Sequence, residues 1–100
     1  GDVYKRQALC SAQGDMTKAI AYYEQALALR RQVEDYAGQA RTLYNLAILW
    51  SSLGEQARAE ESLCGAVELD EKLDLPYLER DREMLIAIRA GMMVEGQHLD

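Results

Sequence analysis

Two stretches of this chain repeat each other at a fixed distance. Gly14-Asp15-Met16-Thr17-Lys18-Ala19-Ile20 aligns with Gly54-Glu55-Gln56-Ala57-Arg58-Ala59-Glu60. The match continues with Tyr23 on Leu63, Ala26 on Ala66, Leu27 on Val67 and Leu29 on Leu69, each pair 40 residues apart. Small residues recurring in register at such a period indicate a stacked repeat. A single unit of this kind cannot bury its own apolar face, so neighbours must stack to make a continuous core.

The repeat is helical. Over 17–34, Ala19, Ile20, Tyr23, Ala26, Leu27 and Val33 fall near one face, with the spacing of an amphipathic helix. Residues 56–73 do the same with Ala59, Leu63, Ala66, Val67 and Leu73, and residues 37–53 place Leu43, Leu46, Ala47, Trp50 and Leu53 together. No segment alternates as a strand would. Gly14-Asp15 and Gly54-Glu55 are expected to end helices, because glycine readily takes the left-handed conformation. Asp35 is placed to cap the helix that follows it. Asp74-Leu75-Pro76 marks a break, since proline suits the first turn of a helix and not its interior. A last helix is expected over 76–90, with Glu79 and Asp81 near its positive end. Its Tyr77, Leu78, Met84, Leu85 and Ile88 would cover the edge of the preceding repeat. Gly91 ends it, and 91–100 has no clear period and reads as a flexible tail.

With these residues in place, the chain resembles the tetratricopeptide repeat. The resemblance rests on Leu46-Ala47, Trp50, Leu53-Gly54, Ala59, Leu63, Ala66-Val67 and Leu69. It rests equally on Gly14-Asp15, Ala19-Ile20, Tyr23, Ala26-Leu27 and Leu29. It spans about residues 8–75 and implies an all-α, right-handed helical-hairpin solenoid: two repeats, the second helix pair over about 37–73, and a C-terminal capping helix. The ordinary unit has 34 residues. A period of 40 looks like the longer variety found in kinesin light chains and bacterial regulatory proteins, with the extra length in helix B and in the loop over 30–40. Two departures stand out. Arg6 and Gln7 occupy the places of Leu46 and Ala47, leaving the first helix A without its apolar pair, and Glu60 replaces Ile20.

The start of the chain has a second explanation. Asp2-Val3-Tyr4-Lys5-Arg6-Gln7 can be encoded by GAT GTG TAT AAG AGA CAG, which matches the end sequence used in transposase-based DNA library preparation. Segment 1–7 is therefore expected to be adapter-derived, and the remainder to be the C-terminal end of a longer array.

Composition narrows the function. The net charge of −6 is uneven: residues 1–50 carry +1 and residues 51–100 carry −7. An acidic C-terminal half opposes a direct nucleic-acid partner, which would need a basic stripe. There is no apolar run of membrane-spanning length and no signal-peptide start. Two cysteines, Cys10 and Cys64, are too few for a disulfide framework, so a reducing cytoplasmic setting and structural roles are expected. No phosphate loop, zinc-ligand spacing or nucleophile elbow is present, and the single histidine, His98, lies in the tail. No enzymatic activity, metal or cofactor is expected.

The resemblance implies a protein- or peptide-binding scaffold whose inner surface is lined by A helices. In the second repeat the corresponding positions are Arg41, Tyr44, Asn45, Ile48, Ser51 and Ser52. Most of them lie off the Leu43/Leu46/Ala47/Trp50 stripe. Asn45 offers both donor and acceptor to a peptide backbone, Arg41 can pair with a carboxylate, and Tyr44 gives a flat apolar contact with a polar tip. The family's carboxylate clamp is not supported, because only Arg41 and Asn45 fit it. Trp50 and Tyr23 are expected in the core and Tyr22 half-exposed. Two alternatives stay open. One is a sensor or regulatory segment of a multidomain bacterial signalling or transcription-regulatory protein. The other is self-association through the truncated N-terminal face.

Overall fold

The computed structural model describes the backbone of residues 2–92 and the side chains of residues 12–92. Four helices follow one another: α1 (Asp2–Gln32), α2 (Tyr36–Ser52), α3 (Gln56–Leu73) and α4 (Leu78–Arg89). Each packs mainly on the next, α1 on α2, α2 on α3 and α3 on α4. The result is an all-α helical-hairpin repeat. Among the described residues no helix is long and apolar enough to cross a membrane, and no cluster of three potential metal ligands occurs.

The helix ends follow local chemistry. The Asp35 carboxylate accepts a hydrogen bond from the Gly38 amide at 2.9 Å, the capping role its position suggested. Gly54, at φ +79°, turns the chain from α2 to α3, and Gly91, at φ +77°, follows the end of α4. Asp74, at φ +53°, closes α3 through a bond from its amide to the Asp70 carbonyl.

Three expectations need correction. Gly14-Asp15 does not turn: α1 runs unbroken through it. A glycine inside a helix costs only about 1 kcal/mol, so it breaks one only when a packed partner draws the chain back. Residues before Gly14 lack the apolar pair that draws α2 onto α3. The extra residues of the 40-residue period do not lengthen the loop over 30–40 either. The helices meet across 33–35, where Glu34 at φ +56° reverses the chain. That reversal carries Val33 off the core face, leaving it 74% exposed. Segment 93–100 of the expected tail lies outside the described residues, as does the Cys10 side chain.

The core is centred on α2, which is covered on both sides. Leu43, Leu46, Ala47, Ile48 and Leu49 are buried there with Ala59, Leu63 and Ala66 of α3, Ile20 and Leu27 of α1, and Leu85 and Ile88 of α4. Ala59 and Ala66 have no exposed surface, so the helices approach as closely as an alanine allows. Gly65 serves the same contact, since a Cβ there would stand 3.2 Å from Leu43 Cδ1. Half-buried Trp50 packs against this core under the Arg58 guanidinium, 4.7 Å from the ring centre, and Tyr23 packs beside it on α1.

Candidate inner-face groove

One arginine bridges the end of α1 to the start of α2. Arg30, in the last turn of α1, donates from Nη1 to the Gly38 carbonyl at 3.2 Å and to Thr42 Oγ1, and its Nε lies 3.9 Å from Asp35 Oδ2. Gln39 Nε2 answers with a bond to the Arg30 carbonyl at 3.3 Å. These bonds join the carbonyl end of one helix to the amide end of the next, where a cation is favoured by the α1 dipole.

Below this joint the two helices enclose a groove of about 380 Å³ lined by Tyr22, Tyr23, Ala26, Arg30, Arg41 and Asn45. It contains two guanidiniums, two phenols and a carboxamide, with no carboxylate in its lining. The two tyrosine rings stand edge to face, 5.5 Å apart. Tyr22 is 67% exposed and offers a flat, rigid surface with a polar tip.

Of the six positions expected on this face, two line the groove: Arg41, which is half-buried, and Asn45, which is only 4% exposed. Arg41 also donates to the Tyr77 hydroxyl at 3.2 Å, which ties it to the start of α4. Tyr44 is nearly covered, with the Arg80 guanidinium stacked 3.7 Å from its ring centre. Ile48 has no exposed surface and sits in the core. Ser51 is buried and borders a small cavity of about 80 Å³ with Gly54, Gln56, Ile88, Gly91 and Met92, while Ser52 is half-buried. Tyr22, Tyr23, Ala26 and Arg30 were missed because they belong to the preceding repeat's second helix. The helical wheel of α2 alone contains no sign of them.

A larger depression of about 680 Å³ lies against the opposite side of α2, between α1 and α3, over Leu27, Leu43, Leu46 and Trp50. Its rim mixes both signs, with Glu24, Arg31, Arg58 and Glu61, and its indole is already paired with Arg58. Its charges are of both signs, whereas the charged side chains of the smaller groove are both guanidiniums, so the smaller groove carries the more selective chemistry.

α4 packs on α3 around a buried acid pair, which the sequence pattern does not reveal. Asp70 of α3 and Asp81 of α4 both have no exposed surface. Arg80 Nε donates to Asp81 Oδ1 at 3.2 Å, and the same guanidinium lies 5.0 Å from the Tyr77 ring centre. Apart from the acid pair itself, no donor among the described residues reaches either oxygen of Asp70 or Oδ2 of Asp81. Burial pushes the Asp70 carboxyl from its ordinary 3.8 up to about 8, reinforced by the hydrogen bond and charge of Asp81 and opposed by Arg80. At neutral pH Asp70 therefore holds its proton in the α3–α4 seam. Two exposed ion pairs flank the seam, Arg82–Glu71 and Arg89–Glu60, each at 2.8 Å. Arg89 Nη2 also lies 3.6 Å from the free thiol of Cys64.

The architecture and the recurring small residues agree with comparison to known families. A family model for the tetratricopeptide repeat matches residues 7–72, about two thirds of the chain. No curated protein and no solved structure matches it. Helical hairpins stacked in sequence, alanines at their closest contacts and a match over more than half the length lead to one conclusion: the chain belongs to the tetratricopeptide repeat family.

Proposed function

We propose that this chain is a protein-binding scaffold, of the longer-period kind within its family, and that it takes an extended peptide in the α1–α2 groove. Repeats of this family generally mediate protein–protein interaction and are typically non-enzymatic scaffolds. The observation that carries the site is the convergence of Arg41 and Asn45 with Tyr22 and Tyr23 in one groove without a carboxylate. Asn45 is suited to hydrogen-bond a peptide backbone, Arg41 to pair with an acidic side chain, and Tyr22 to stack on an apolar one. Helices hold these groups in place before binding, which lowers the ordering cost. Partners in this reading are proteins or peptides in a reducing cytoplasmic setting, not nucleic acid and not membrane. The free thiol of Cys64 fits that setting.

The test is selection of binders from a displayed random peptide library, followed by calorimetry with the best peptide. Arg41→Ala and Asn45→Ala are each expected to weaken binding about tenfold, or roughly 1.4 kcal/mol. Unchanged affinity in both variants, with helicity intact, refutes the groove as the site.

A further inference from the structure

Tyr77 stands just before α4 and shares its first turn with Arg80 and Asp81, the spacing that puts side chains on one side of a helix. Backbone bonds fix where that turn sits. The Leu75 amide donates to the Asp70 carbonyl at 3.0 Å, and the Asp81 amide to the Tyr77 carbonyl at 2.9 Å. The side chains are fixed at the seam. Asp81 is buried with Asp70, and its Oδ1 accepts from Arg80 Nε at 3.2 Å. The Arg80 guanidinium in turn lies 3.7 Å from the ring centre of Tyr44 and 5.0 Å from that of Tyr77. Tyr77 therefore cannot shift without loosening a cation–π contact anchored on a buried carboxylate.

α2 receives the other side of this arrangement. Arg41 and Tyr44 are neighbours on one face of α2. Arg80 covers Tyr44, and the Tyr77 hydroxyl accepts from Arg41 Nη1 at 3.2 Å. Arg41 is also a wall of the α1–α2 groove, together with Arg30. A groove lined by two guanidiniums and no carboxylate must keep like charges near each other. Acceptors outside the lining help to hold them there: the Gly38 carbonyl, Thr42 and Asp35 for Arg30, and the Tyr77 hydroxyl for Arg41. The long, flexible stem of an arginine is costly to order, and a bond already in place spares an incoming ligand that cost.

We infer that Tyr77 is a positioning residue of the groove: by holding Arg41 it presents that guanidinium to an acidic side chain of the bound peptide, and so couples peptide binding between α1 and α2 to the seating of α4 on α3. The inference rests on reading the α1–α2 groove as the peptide site. Coupling of this kind is reciprocal. A peptide carboxylate that prefers the held Arg41 favours α4 in its seat by the same factor.

Calorimetry of the full chain with a library-selected peptide tests this. Tyr77→Phe removes the hydroxyl and leaves the ring beside Arg80, so its helicity should be unchanged. It is expected to weaken binding about fivefold. In an Arg41→Ala background the same change should have no further effect, a result that loosened packing alone would not give. Tyr77→Phe that binds as tightly as wild type or more tightly, or that loses the same factor in the Arg41→Ala background, overturns the inference. Hydrogen exchange of the Asp81 amide reads the reverse direction. Saturating peptide should raise its protection about fivefold more in wild type than in Tyr77→Phe, and equal gains overturn the coupling. If Tyr77→Phe loses helicity, wild type decides alone. A gain at Asp81 with the peptide, and not with a version whose acidic residues are changed to amides, both at saturation, supports the coupling; equal protection with both overturns it. The groove is scored separately. If Arg41→Ala and Asn45→Ala both bind as wild type does, the groove fails and the inference with it. If they weaken binding while Tyr77→Phe does not, only the positioning role fails.

Discussion

Replacing Asp70 with asparagine should stabilise this protein, and only above mildly acidic pH. In the unfolded chain Asp70 ionises near pH 4; in the fold it keeps its proton to about 8. Between those values the folded state binds one more proton than the unfolded state. Stability therefore falls as pH rises through that window and levels off above it. The steepest slope one group can give is about 1.4 kcal/mol per pH unit. The realised loss should be smaller, because α4 is a single terminal helix and slight opening admits water to the pair. A total of about 2–3 kcal/mol between pH 5 and pH 8 is the expected scale. Asp70→Asn keeps the shape, removes the ionisation and replaces a titratable O–H beside Asp81 with an N–H that no pH removes. At pH 8 the variant should gain about 2 kcal/mol, or roughly 10 °C in Tm for a domain of this size. At pH 4 the two proteins should differ little. Thermal unfolding followed by circular dichroism at several pH values measures this. Parallel pH profiles, or a variant less stable than wild type at pH 8, would refute a protonated Asp70.

Other perturbations follow from the same packing. Ala59→Leu or Ala66→Leu should cost about 1–3 kcal/mol, because neither alanine has exposed surface and added carbons must displace a neighbouring helix; an unchanged melting temperature would count against the close approach. Gly14 and Gly54 should respond oppositely to alanine. Gly14→Ala lies inside α1 with nothing within 4 Å of its new Cβ, and should stabilise by up to about 1 kcal/mol. Gly54→Ala forces an L side chain into φ +79° and should destabilise by about 1 kcal/mol, both read from chemical denaturation. Asp35→Ala removes the cap on Gly38 and should cost about 1 kcal/mol, measured the same way.

The helices were legible because their signals are local. The periodicity of α3, the Asp35 cap, the glycine at 54 and the break around Pro76 each act within a few residues. What was not legible depended on a neighbour. Gly14 and Gly54 occupy the same repeat position, yet only one turns, because turning needs an apolar helix to return to. Ile48 looked like a surface residue because it lies off the Leu43/Leu46/Trp50 stripe. In a stack, however, α2 is covered on both sides, so leaving one stripe means entering another interface. Asp81 was read as a helix-dipole residue; its burial against Asp70 comes from an element eleven residues upstream. The groove was half legible, since Arg41 and Asn45 come from α2 while Tyr22 and Tyr23 come from α1.

The most direct test of the binding account is a two-dimensional amide NMR titration of the full chain with a library-selected peptide. The account predicts that the largest shifts cluster at Tyr22, Tyr23, Arg41 and Asn45. Shifts confined to the opposite depression around Trp50, Arg58 and Glu61, with the groove residues unmoved, would contradict it.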